Sequence, residues 1–255
     1  MLSVAATTEF FFISLALGVG FFSFLCRPEQ TGAGFLKVIS AVTGVSSLIA
    51  LIFHLTYASV MNPQSYCLFI AMTCSILTYL FHRDSKTLAM WALYLIQNAA
   101  LFWVVVLYHN LYPTHIFFFL SSALFLGVIT YAMILGHWYL VVPKLSEAPL
   151  KKAMVIVGVL LLLKVILTAY QYHEFSHFFE QGSREGAGYL FNWVLLTMRV
   201  GWGYVVIGIM GYFTWRLVCM RSIQSATGIL YAMTFFVIGA ELVSQYIFFH
   251  YGFLL

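Results

Sequence analysis

Apolar residues run through this chain in eight long blocks, and none shows the period-two alternation of a strand. The blocks cover approximately residues 8–26, 36–61, 65–81, 88–108, 116–142, 153–172, 189–215 and 225–249. A helix needs roughly 20 residues to cross the hydrocarbon core of a bilayer, so each block reads as a membrane-spanning helix. Short connections join them, which predicts one integral membrane domain over residues 1–255. The expected fold is an all-α polytopic bundle of about eight transmembrane helices. A β-barrel would need alternating segments of about ten residues, and these are missing.

Composition agrees with the pattern. Of 255 residues, 63% are hydrophobic and 8% charged, with a mean hydropathy of +0.97. A water-soluble chain of this size could not hide so much apolar surface. The first block is expected to stay in the protein, because residues 1–10 hold Glu9 and no Lys or Arg, unlike a cleavable signal. Cys26, Cys67, Cys74 and Cys219 are scattered without a CxxC pair, so no disulfide framework is expected. The first and last four blocks share no matched motif, which gives no support to an inverted repeat.

Charge gives direction. Arg27, Lys37, Arg83, Lys86, Lys144, Lys151, Lys152, Arg216 and Arg221 all follow odd-numbered blocks, nine of the 12 Lys and Arg residues. The alternate loops contain only Arg184. By the positive-inside rule, both termini lie outside and the odd loops in the cytoplasm. The net charge of +4 is thus a matter of topology, and nucleic acid is not an expected partner. The lipid bilayer is, together with other membrane subunits, in a cell's inner (cytoplasmic) membrane.

Three charges remain inside the blocks: Lys164, Arg199 and Glu241. A charge in a bilayer costs several kcal/mol unless paired, so such residues face the protein interior and mark function by default. Residues at i, i+4 and i+7 share a helix face. Block eight aligns Thr227, Tyr231, Thr234, Glu241 and Gln245; block seven aligns Asn192, Arg199 and Gly203. Block six offers Lys164, Thr168 and Gln171, block two Ser40, Gly44, Ser47 and His54, and block four Tyr94 and Asn98. The expected interior site is therefore Lys164, Arg199, Glu241, Asn98 and Gln245. A rise of about 1.5 Å per residue places Lys164 and Arg199 near the midplane and Glu241 in the outer third. Arg199 is the expected partner of Glu241, which leaves Lys164 without an acidic one.

Histidines supply the candidate cofactor chemistry. His54 and His109 approach the outer face from different helices, as bis-histidine haem b ligation requires. Gly136 to Leu140 includes His137, Trp138 and Tyr139, an amphipathic cluster suited to a quinone headgroup, or to anchoring at the interface. His173-Glu174-Phe175-Ser176-His177 fits H-E-x-x-H, which on a continuing helix offers His173 and His177 as zinc ligands with Glu174 as base. The segment resembles the HExxH of intramembrane zinc proteases. Those enzymes add a distant aspartate-glycine motif, whereas the one aspartate here, Asp84, lies at the opposite surface. Ser222 or Ser225 is expected to cap the last helix.

The chain has no P-loop, dinucleotide fingerprint or nucleophile elbow. The leading expectation is a membrane subunit of an electron-transfer or energy-coupling complex whose polar interior binds quinone, haem or lipid. A transporter or ion- or proton-conducting protein is the main alternative. An outer-face zinc protein or metallopeptidase and a structural assembly subunit are the others.

Overall fold

The computed structural model describes residues 2–26, 31, 34–81, 87–108, 112–142, 145–181 and 188–255, leaving aside the side chains of 2, 3 and 174. Eight long helices account for most of them: α1 (Leu2–Phe22), α2 (Phe35–His54), α3 (Pro63–Leu80), α4 (Leu88–Tyr108), α5 (Pro113–Val141), α6 (Ala148–Glu174), α7 (Tyr189–Cys219) and α8 (Ile223–Tyr251). No strand occurs among the described residues. Seven of the eight are long and apolar enough to cross a membrane. The exception is α3, whose 18 residues open on the polar Pro63-Gln64-Ser65-Tyr66. The chain is thus an all-α bundle of the multi-pass membrane kind.

Local sequence sets several helix ends. Asn62 caps α3, its side chain accepting from the Gln64 amide at 3.3 Å, with Pro63 just inside the first turn. Proline is favoured there because its missing N–H would have no partner in the helix. Asn62→Ala should lower stability by about 1 kcal/mol, read as a lower thermal midpoint in detergent. Gly252 ends α8 in the left-handed region, at φ 81°, and its amide reaches Phe248 O. Ser222 stands at the N-cap of α8, but its hydroxyl meets the Ser225 hydroxyl at 3.2 Å and makes no capping bond. That expected cap is not formed.

The helices pack in two rings. In the first, α1, α2, α3 and α4 each touch the next and α4 returns to α1; α5 to α8 repeat this arrangement. The rings meet where α1 lies against α5 and α8. Within its most apolar stretch α5 is 83% buried and α6 only 28%. So α5 is central, while α6 turns Val155, Val159, Leu162 and Ile166 outward. An apolar outward face suits lipid, and polar residues turn inward because hydrocarbon offers them no partner.

Where α1 crosses α5 the backbones touch. A Cβ on Gly18 would lie 2.7 Å from Gly127 Cα, and one on Gly127 would lie 2.7 Å from Gly18 O. Small residues permit this approach, and close van der Waals packing is what holds helices together in lipid.

Candidate functional site

The three intramembrane charges belong to the second ring and are fully buried. Lys164 stands ten residues before the end of α6, Arg199 ten after the start of α7, and Glu241 ten before the end of α8. All three are therefore about 15 Å from the same end of the bundle. Sequence spacing set Glu241 nearer the outer end. The difference arises because block eight is longer than block six at the opposite end, whereas Lys164 and Glu241 stand equally far from Glu174 and Tyr251, where their helices finish.

Arg199 and Glu241 form an ion pair, with Nη1 2.8 Å from Oε1. The same nitrogen donates to Ala240 O at 3.4 Å, and the guanidinium lies 5.0 Å from the Tyr204 ring centroid. Arg199 Nε and Nη2 and Glu241 Oε2 have no hydrogen-bond partner among the described residues.

The backbone places these groups. Residues Met198–Val206 of α7 form a π-helix, and regular α-helix resumes at Ile207. Its i→i+5 bonding sets residue 204 one turn above residue 199, where an α-helix would swing it away. Tyr204 thereby reaches both the guanidinium and α6, where its hydroxyl lies 2.6 Å from Thr168 Oγ1. Gly203 lets α8 approach, since a Cβ there would lie 2.8 Å from Ala240 Cβ. Short π stretches are rare and concentrate at functional sites.

Lys164 sits one turn from Thr168 on α6. Its ammonium donates to Ser122 Oγ of α5 at 2.8 Å and lies 3.5 Å from the centroid of the Phe118 ring. Among the described residues no carboxylate comes within ion-pair distance of it. Arg199 and Glu241 are close enough to act on it electrostatically. Lys164, Thr168, Tyr204, Arg199 and Glu241 thus form one buried layer across three helices. Gln245, one turn beyond Glu241, donates to Ser14 Oγ at 3.5 Å and ties the layer to α1.

The other expected site residues fall elsewhere. Asn98 lies in the first ring, its Nδ2 bonded to Tyr94 O at 2.8 Å and its Oδ1 beside Gly20. His137 Nδ1 meets the Tyr231 hydroxyl at 2.8 Å, and Trp138 Nε1 donates to Thr31 O at 2.7 Å. Both polar edges are thus engaged within the fold. The HEFSH segment is not one helical run: α6 ends at Glu174, and Ser176–Phe179 is a 3-10 turn. His173 and His177 therefore do not take the i, i+4 placement of a continuing helix. Among the described residues no three His, Cys, Asp or Glu side chains gather as a metal site; the Glu174 side chain lies outside them.

His109, the expected second haem ligand, also lies outside the described residues. His54 is fully buried, and its Nδ1 is 2.8 Å from Glu9 Oε1. Glu9 went unread as a site residue because it lies at the edge of the first apolar block. Yet α1 begins at Leu2, which puts this carboxylate two turns inside the helix and wholly buried. An acid two turns into an apolar helix was the available signal. Compared with protein-family models, curated proteins and solved structures, the chain has no match.

Proposed function

We propose that this chain transfers protons through its helix-bundle interior and serves as the membrane-embedded part of an energy-coupling assembly. One observation carries the reading. The buried layer holds two basic groups, Lys164 and Arg199, and one carboxylate, Glu241. With all three ionised, one positive charge stays uncompensated where charge is most costly. Arginine keeps its proton in proteins, so the proton whose release makes the layer neutral belongs to Lys164. The Thr168 and Tyr204 hydroxyls, which both donate and accept, join the helix of Lys164 to α7, and the Tyr204 ring faces the Arg199 guanidinium. The loop charges orient the bundle with both termini outside, in an inner membrane. Eight crossings are needed for this, and α3 contributes the eighth with its roughly 27 Å.

Reconstitution in liposomes carrying an entrapped pH-sensitive dye tests the proposal. The wild-type protein should speed the decay of an imposed pH gradient. Lys164→Met and Lys164→Arg should each slow that decay by at least about tenfold, the scale on which positioned proton-transfer groups act. The thermal midpoint should change little in Lys164→Met and fall in Lys164→Arg, because arginine keeps the uncompensated charge in the layer. Wild-type rates in both variants would reduce Lys164 to a structural donor for Ser122.

A second reading has its own support. A groove of about 610 Å³ between α2 and α3 is lined by Ser40, Gly44, Leu48, Ser75 and Tyr79 among others, and it is mostly apolar. Its size suits the tail of a prenyl quinone in an electron-transfer subunit. Organic extraction of protein purified in mild detergent should then yield quinone in proportion to protein.

A further inference from the structure

The first ring holds a second set of buried titratable groups, at the end of the bundle where α2 finishes and α3 begins. Glu9 of α1 and His54 of α2 are both fully buried and 2.8 Å apart. The Tyr57 hydroxyl, from the turn after α2, donates to the other carboxylate oxygen of Glu9. Tyr57 is 36% exposed, so the carboxylate is one phenol away from the surface. From α4, the Tyr108 hydroxyl lies 3.3 Å from that of Tyr57. α5 and α8 meet this turn of α1 with aromatic rings, Phe119 and Phe249 packing on Phe10 at 4.8 and 5.8 Å. The polar cluster thus has its exposed edge at Tyr57 and an aromatic wall toward the second ring. His54 Nε2, on the far side of the imidazole from Glu9, has no hydrogen-bond partner among the described residues.

We propose that Glu9 and His54 form a proton-binding site that exchanges one proton with the adjoining aqueous face through Tyr57. A buried ion pair adds little stability over apolar packing, so stability alone does not account for it. The chemistry balances with N–H and O–H bonds alone. In the loaded state an imidazolium faces the Glu9 carboxylate, and the pair is neutral. The Nδ1 proton passes to Glu9 and leaves to water at the Tyr57 edge. His54 is then neutral with its proton on Nε2, its bare Nδ1 no longer bonds Glu9, and the Glu9 carboxylate is held by the Tyr57 hydroxyl alone. This site is additional to the Lys164 layer and stands whether or not that layer conducts.

Infrared difference spectra of the full chain in lipid nanodiscs, taken between acid and alkaline buffers, test the proposal alongside nitrogen NMR of labelled histidine. Wild-type protein should show a shift of the Glu9 carboxylate band and a change at His54 that titrate together. Glu9→Gln should abolish that carboxylate shift and move the His54 signal, and His54→Asn should remove the His54 contribution. Tyr57→Phe should slow deuterium exchange at the pair by about tenfold, the loss of one positioned proton-transfer group. Lys164→Met should keep both spectral changes whatever it does to proton flux, which separates this site from the central layer. A His54 signal constant across the range in wild-type protein would overturn the proposal and leave a fixed structural bond. The wild-type titration decides this even if Glu9→Gln fails to fold.

Discussion

Glu241→Ala is expected to destabilise the bundle by about 3–5 kcal/mol, the usual consequence of stripping one partner from a buried ion pair. Arg199 cannot shed its proton to escape. After the substitution it would keep Ala240 O at 3.4 Å and the Tyr204 ring at 5.0 Å. Neither carries a full negative charge, and among the described residues no carboxylate other than Glu241 lies within ion-pair distance of Arg199. Removing both partners should behave differently. Arg199→Leu with Glu241→Leu leaves no uncompensated charge, so the double variant should come within about 1 kcal/mol of wild type or exceed it. Unfolding in detergent, followed by circular dichroism, measures all three proteins. The double variant should still lose proton flux, because it removes the charges on which the Lys164 layer depends. A Glu241→Ala protein as stable as wild type would mean that the guanidinium is compensated by some other group.

What the sequence made legible follows from which forces are local. Block length alone announced the eight helices, because crossing hydrocarbon demands continuous apolar residues whatever they pack against. The pairing of Arg199 with Glu241 was legible for a related reason: few charges are available, and a buried one requires a partner. Features that depend on contacts between distant residues stayed hidden. The π-helix at Met198–Val206 is a change of hydrogen-bond partner that hydropathy does not register, yet it turns Tyr204 toward Arg199. The Glu9–His54 pair joins residues 45 apart, and Glu9 sat at the margin of a block drawn from composition. With HEFSH the sequence suggested a local arrangement that the backbone does not take. Five residues matched a motif, but the helix that would align them stops at Glu174.

The contact between Gly18 and Gly127 was equally silent in the sequence, and it supports the second large prediction. The chain has 18 glycines, and glycine is frequent in membrane helices, so nothing marked these two as partners. Gly127→Val should prevent α1 and α5 from closing. An added Cβ would lie 2.7 Å from Gly18 O and closer still to that residue's own backbone. These are main-chain atoms inside a helix, which no rotamer change can move aside. Relief would require α1 to shift away from α5, and α1 makes most of the contact between the two rings. The cost should therefore exceed the 1–3 kcal/mol usual for an overpacked core. Substitution at Gly158, whose Cβ position is open, serves as the control. Gly158→Val should stay within about 1 kcal/mol of wild type, near the difference in helix propensity between the two residues. If Gly127→Val unfolds no more readily than Gly158→Val, the α1–α5 crossing is wider than the structure places it. If instead Gly127→Val is severely unstable, then the tie from Gln245 to Ser14 should weaken with it. That tie is made by α1 itself, and the central layer would lose its link to the first ring.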